Sequence, residues 1–118
     1  MSISSFRDLN VWQKSIEVTE KVYILTKNLP QSERFGLISQ LQRSSVSIPS
    51  NIAEGAQRNS RNEFRHFCGI AYGSCAELET QLILIERIYK QDIDEIMLLL
   101  IEVQKMLKSL IYKLNTND

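Results

Sequence analysis

The side chains best suited to chemistry stand close together in the sequence, between Glu63 and Cys75. Glu63-x-x-His66 has the spacing with which ferritin-like helical bundles bind two iron ions, but such a site needs a second copy of the motif and two further carboxylates. The chain has a single histidine. We therefore interpret Glu63 as part of a helix cap and His66 as a surface residue, and expect no metal. The alternative is a metal-dependent enzyme whose site is shared between subunits.

The two cysteines, Cys68 and Cys75, do not form a recognisable catalytic or redox pair. On a helix they are about 10.5 Å apart, which is too far for a disulfide. His66 and Cys68 are two residues apart, so on a helix they point in different directions and cannot act as a nucleophile and its base. The sequence has no paired zinc-ligand spacing, phosphate loop or dinucleotide-binding motif. We predict a protein that has no cofactor and is not an enzyme.

The composition is that of a single globular domain covering residues 1–118, with 43% hydrophobic and 24% charged residues. Fourteen basic residues balance fourteen acidic ones, so overall charge gives no argument for nucleic-acid binding. The longest apolar run, Ile96–Ile101, is too short to span a bilayer. The first residues show no basic segment followed by an apolar one. We expect a soluble, cytoplasmic protein without membrane contact.

Two prolines and four glycines are few for 118 residues, which favours long helices. Apolar residues recur every three or four positions in four segments, and this spacing predicts helices over about 7–28, 33–56, 61–89 and 93–114. Ser32 is a candidate cap for the second helix. Ser60 and Glu63 have the spacing of a capping box for the third.

Short connections make consecutive helices antiparallel, which predicts an all-α, up-down-up-down four-helix bundle. The alternative is a long helical hairpin that completes its core by dimerising. Pro49 predicts a kink or a short break in the second helix. Counting back across the next turn places Pro49 opposite Gly69 and Ser45 opposite Gly73, so we expect close helix packing there. The alternative is that the polar segment 47–55 binds a ligand or partner.

The start of the fourth helix is apolar on nearly every side. Met97, Leu98, Leu99 and Ile101 lie away from its main apolar stripe. Because a peripheral helix of a monomeric bundle cannot bury all its faces, these residues predict a subunit interface. The alternative is that they are ordinary exposed apolar side chains.

Basic residues collect at one end of the predicted bundle. Arg58, Arg61 and Arg65 flank the turn between the second and third helices, and the topology brings Arg7 and Lys113 to the same end. Aligned subunits would concentrate these charges into a patch that attracts phosphates. The opposite end is more acidic, with Glu33, Glu86, Asp92, Asp94 and Glu95 among Lys27, Arg34, Arg87 and Lys90. The alternative is an ordinary solvated surface with segregated charges.

Several motifs carry a family resemblance: Leu9-x-Val11-Trp12-Gln13, Glu33-Arg34-Phe35-Gly36-Leu37, Gln40-Leu41-x-Arg43-Ser44, Ser47-Ile48-x-Ser50-Asn51-Ile52-Ala53-Glu54-Gly55, Glu63-Phe64, Phe67 and Gly73-Ser74-x-x-Glu77-Leu78-Glu79. With them the chain resembles the bacterial four-helix-bundle proteins of intervening sequences in 23S rRNA genes. That family is related to the accessory variability determinant of diversity-generating retroelements, which binds nucleic acid and reverse transcriptase through a basic surface. The resemblance implies a four-helix bundle assembled as a homopentamer, and it supplies no catalytic residues.

Charge placement and resemblance together predict a non-enzymatic oligomeric bundle that binds RNA or DNA through its basic end. Arg58, Arg61 and Arg65 are the candidate phosphate contacts, with Arg43 as a further candidate. The alternative function is a scaffold that recruits a protein partner and has no nucleic-acid role.

Overall fold

Four α-helices account for most of the chain. The computed structural model describes residues 5–115, and its helices are α1 (Asn10–Thr26), α2 (Leu37–Gln57), α3 (Arg61–Tyr89) and α4 (Asp94–Asn115). Single 3-10 turns, Phe6–Asp8 and Gln31–Glu33, precede α1 and α2. Lys14 pairs with Glu102 whereas the later Lys21 pairs with the earlier Glu95, so α1 and α4 run antiparallel. The hydrogen bonds Ser44–Gln81 and Ser47–Ser74 show the same for α2 and α3. The predicted up-down-up-down bundle is confirmed.

The bundle closes around a core to which every helix contributes one apolar stripe. Val18, Leu41, Leu78 and Leu107, one from each helix, are fully buried. The resulting rod measures 48 × 20 × 19 Å. Because four stripes of one chain enclose this core, the alternative of an open helical hairpin is wrong.

The helix starts differ from the prediction at α2 but agree at α3. Ser32 does not cap α2, because the helix begins only at Leu37, after Gly36. The Glu33 carboxylate takes the capping role, accepting a hydrogen bond from the Leu37 backbone N–H at 3.1 Å and another from the Tyr89 hydroxyl. These bonds, the Tyr89 one foremost, hold the pKa of Glu33 below its ordinary value. Ser60 caps α3 as predicted, its Oγ accepting the Glu63 N–H at 3.2 Å.

Pro49 lies inside α2, which continues through it, so the predicted alternative of a break does not occur. Proline lacks the N–H that would bond to the carbonyl four residues earlier, which is that of Ser45. The Thr19 hydroxyl of α1 replaces this donor, with its Oγ1 2.9 Å from the Ser45 oxygen. It also lies 3.1 Å from the Ser15 oxygen, so one hydroxyl hydrogen links the two helices.

Short polar side chains also join α2 to α3. Ser44 Oγ donates to Gln81 Oε1 at 2.7 Å, and the hydroxyls of Ser47 and Ser74 are 2.8 Å apart. Asn51 Nδ2 donates to the Ser47 carbonyl at 2.8 Å. Within the segment 47–55, Ser47 therefore bonds to α3, and Asn51 bonds to Ser47 within α2.

The predicted close packing at Gly69 and Gly73 is wrong, because both glycines face outward and an added Cβ at either would meet nothing within 4 Å. The serine pair Ser47–Ser74 shows that the register differs from the one obtained by counting. Gly55 is the real close approach: a Cβ there would lie 2.8 Å from Phe67 Cβ and 3.1 Å from Phe64 Cδ1.

Alanine substitutions at these glycines should have opposite effects on stability. Gly55→Ala forces α2 away from α3, and we expect it to lower the free energy of unfolding by about 1–2 kcal/mol. Gly69→Ala is the matched control, since it adds helix propensity in open space and should raise stability by up to about 1 kcal/mol. Urea unfolding followed by circular dichroism at one protein concentration measures both. A Gly55→Ala protein as stable as Gly69→Ala would contradict the close approach.

The Thr19 hydrogen bond should matter only while Pro49 is present. Thr19→Val leaves the Ser45 carbonyl without its donor, and we expect a cost of about 1–3 kcal/mol. In a Pro49→Ala background, the new N–H of residue 49 bonds to that carbonyl, so the same change should cost much less. Urea unfolding of the four proteins in this double-mutant cycle gives the coupling energy. Equal costs in the two backgrounds would refute the proposed role of Thr19.

Candidate nucleic-acid interface

Three arginines lie where α2 ends and α3 begins. Arg58 directly follows α2, Arg61 is the first residue of α3, and Arg65 lies one turn further on. Arg61 Nη2 donates to the backbone carbonyl of Lys113 at 2.7 Å, so the end of α4 lies beside them. We call this group, with Lys113, the basic end.

Acidic side chains partly neutralise Arg58. Its guanidinium lies 2.8 Å from Glu54 and 3.8 Å from Glu63, and 5.1 Å above the Phe67 ring. The hydrogen bond to Glu54 raises the pKa of Arg58 above its ordinary value. Arg58 is therefore a fixed cation whose charge is shared with two carboxylates.

Arg65 has a buried donor atom, Nε, without a hydrogen-bond partner among the described residues. Its Nη2 lies 3.5 Å from Asn62 Oδ1. The side chain lines an open cleft of about 490 Å³ with His66, Gly69 and Ile111. Because Gly69 has no side chain, the cleft stays accessible beside the guanidinium. A charged guanidinium beside an open cleft favours an incoming acceptor such as a phosphate oxygen.

Arg43 does not belong to the basic end. It lies fifteen residues before Arg58 on α2, which corresponds to about 22 Å along the helix. Its side chain has no hydrogen bond or ion pair within residues 5–115, and it lines a separate cleft of about 440 Å³ together with Gln40 and Glu77. The four arginines predicted from the sequence therefore divide into a cluster of three and one distant residue.

The predicted interface residues of α4 differ in their exposure. Leu98 is 70% exposed, whereas Met97, Leu99 and Ile101 are half-buried. Met97 and Leu99 pack against the core of their own bundle. Leu98 and Leu99 line an open groove of about 800 Å³ between α1 and α4, which we call the α1/α4 groove. Leu98 is thus the member of this set that is most available to another molecule.

The structure does not bring the glutamate, histidine and cysteines of the segment 63–75 together as a reactive group. Burial raises the pKa of the Cys68 and Cys75 thiols to about 12, so neither forms the nucleophilic thiolate near neutral pH. Glu63 and His66 are both exposed. Between residues 5 and 115, no three side chains of the metal-binding types come together. Over the same residues, no helix has the length and apolar character needed to cross a membrane.

Phe35 is a surface feature that sequence reasoning missed. Its side chain is 89% exposed, and the Arg34 guanidinium lies 5.3 Å from its ring centroid. The sequence held a signal: Gly36 directly after Phe35 favours a turn, and an aromatic residue in a turn before a helix need not face the core. The predicted second helix, 33–56, includes both residues, and this conceals the signal.

The fold and this surface define an all-α protein of the antiparallel four-helix-bundle class. Residues 7–109 match the 23S rRNA-intervening sequence protein family, and the chain belongs to that family. The resemblance seen in the sequence motifs is thereby confirmed, while kinship with the accessory variability determinant stays a prediction.

A solved structure supports the same assignment. The chain is similar to a protein of unknown function from the S23 ribosomal protein family of Bacteroides thetaiotaomicron, with 28% sequence identity and a TM-score of 0.72. The match covers 90% of this chain and 99% of the other. No curated protein matches the sequence significantly.

Proposed function

We propose that this protein is a non-enzymatic helical bundle that self-associates and binds RNA or DNA through its basic end. The observation that carries the proposal is the convergence of Arg58, Arg61 and Arg65 beside Lys113, with the Arg65 Nε buried and unpartnered at an open cleft. A cytoplasmic location belongs to the proposal, and the free thiols of Cys68 and Cys75 support it.

Binding at the basic end would depend on phosphates rather than bases. Arg65, whose side chain lines the cleft, would donate from its guanidinium, and Arg61 would add charge beside it. Arg58 would contribute a fixed positive charge rather than a direct phosphate contact, since it already pairs with Glu54 and Glu63. Contacts of this kind position a nucleic acid without reading its sequence, and they release counterions, so affinity should fall steeply with salt.

Self-association would strengthen this weak local charge. Glu54 and Glu63 lie beside Arg58, so one copy offers only a small excess of positive charge at the basic end. Subunits with parallel axes would place several basic ends side by side, and binding at one would raise the effective concentration at the next. A homopentamer, which the family resemblance implies, is the assembly that we propose.

A protein-interaction scaffold is the second candidate function, and the α1/α4 groove with the 70% exposed Leu98 favours it. Partner binding through this apolar surface would not weaken steeply as salt is added, because salt screens contacts between charges and kosmotropic salts strengthen apolar contacts. Salt dependence therefore separates the two functions.

Neutralising the basic end should remove nucleic-acid binding. We expect the triple variant R58Q/R61Q/R65Q to lose binding to a labelled RNA hairpin and a DNA duplex. On duplex DNA, any residual binding should depend on salt less steeply, because the slope falls by about 0.9 for each lost phosphate contact. Fluorescence anisotropy at several salt concentrations measures affinity and slope, and circular dichroism confirms that the variant is helical.

The matched control is K27Q/R87Q/K90Q, which removes three exposed cations from the opposite end and should bind as the unmodified protein does. If both triple variants lose nucleic-acid affinity equally, the binding depends on the total charge of the protein and not on a site at the basic end. Undiminished binding by R58Q/R61Q/R65Q would refute the assignment. A further variant, R43Q, tests whether the distant arginine contributes.

A further inference from the structure

Arg34 and Phe35 form a projection at the end of the bundle opposite the basic end. Phe35 is the most exposed large hydrophobic residue between positions 5 and 115. The Arg34 guanidinium lies over its ring, and this side chain has no acidic partner among the described residues. The two side chains, which we call the knob, combine an apolar ring with an unpaired positive charge.

The knob is held in place by the residues on either side of it. Glu33 is tied to α2 by its bond from the Leu37 N–H and to α3 by its bond from Tyr89. Gly36 lies so close that a Cβ there would be 2.7 Å from Glu33 Oε1. Because this turn is fixed between two helices, the exposure of Phe35 is a property of the fold, and little ordering is needed when the ring binds.

The α1/α4 groove has the complementary chemistry. Its floor is apolar, formed by Ile24, Leu98 and Leu99, of which Ile24 is 63% exposed. Its rim carries four glutamates and Lys21, and neither Glu17 nor Glu20 lies within salt-bridge distance of a cation in the described chain, although the Lys21 charge acts on both. The other two rim glutamates are already paired with lysines of α1. The groove can therefore accept an apolar group that carries a positive charge.

We propose that the knob of one copy inserts into the α1/α4 groove of a second copy. Phe35 covers Leu98 and Leu99, and Arg34 pairs with Glu17 or Glu20 on the rim. The proposal rests on the self-association included in the proposed function and names the surfaces that produce it. The occupant is a second copy because the unpaired charges, Arg34 on one surface and two glutamates on the other, are both supplied by this chain.

The positions of knob and groove determine the kind of assembly. The knob precedes α2, while the groove lies at the end of α1 and the start of α4, so both lie at the same end of the bundle. They occupy different faces, and each copy therefore offers one knob and one groove. Such a head-to-tail contact links more than two copies and closes into a ring when the rotation allows it. Since knob and groove lie at one level along the bundle axis, the basic ends of all copies collect on the opposite rim.

Mixing two variants tests this contact. Phe35→Ala removes the aromatic ring of the knob and leaves the groove intact. Leu98→Glu places a negative charge on the apolar floor of the groove and leaves the knob intact. We expect the unmodified protein to assemble into more than two copies and each variant alone to be monomeric. An equimolar mixture should form a one-to-one dimer, because one intact knob then meets one intact groove. Native mass spectrometry measures all four samples.

The control is Tyr112→Ser. It removes a side chain that is 72% exposed, close to the 70% of Leu98, from the opposite end of α4. It should keep the mass of the unmodified protein. If the unmodified protein is monomeric, self-association fails together with the knob contact. If Phe35→Ala and Leu98→Glu assemble normally, self-association stands and the knob contact is wrong. A mixture of Phe35→Ala and Leu98→Glu that stays monomeric also refutes the contact between knob and groove.

A charge exchange avoids any loss of folding at the apolar sites. Arg34→Glu should weaken assembly through repulsion with the acidic rim, and adding E17K/E20K to the same chain should restore it. Failure of this exchange to restore assembly would refute the pairing of Arg34 with the rim.

Discussion

The carbonyl group of Ser45 sets a constraint that the neighbouring helices must satisfy. Pro49 takes away its partner within α2, and a buried carbonyl without a donor is costly. Thr19 supplies the donor from α1. Nearby, Ser44 and Ser47 bond to α3, so α2 is joined to both neighbours by short polar contacts at fixed positions along its length. Apolar stripes alone permit a helix to slide by a turn, whereas these bonds define one register.

That register positions both functional surfaces. At one end, Gly55 lets α2 approach α3 closely, which brings Arg58 beside Glu63 and next to Arg61. At the other end, the turn before α2 is tied to Tyr89 of α3 and projects Phe35 into solvent. A shift of α2 would misplace the two ends together. The proposed nucleic-acid interface and the proposed subunit contact therefore depend on the same packed middle.

The sequence predicts the structure correctly where one spacing of apolar residues extends over a whole helix. The fold and α3, including its Ser60 cap, followed from apolar spacing and capping chemistry. The sequence is a poor guide where a single contact between helices decides. Counting across the turn predicts Gly69 and Gly73 at a helix contact, although their positions between the core residues Cys68, Ala71 and Cys75 put them on the outer face. The side chain of Ser32 suits a helix cap and so predicts one, whereas the competing Glu33–Tyr89 contact joins residues far apart in sequence. Exposure of Phe35 and the free Nε of Arg65 are likewise properties of packing.

The two buried thiols make the interior of the bundle accessible to chemical measurement. Cys68 and Cys75 are fully enclosed, and a thiol-specific reagent reaches them only when α3 separates from its neighbours. The labelling rate of the native protein therefore reports the free energy of that opening. Cys68 lies nearer the basic end and Cys75 nearer the middle, two helical turns away. Their relative rates distinguish fraying that spreads from one end from the opening of the whole bundle.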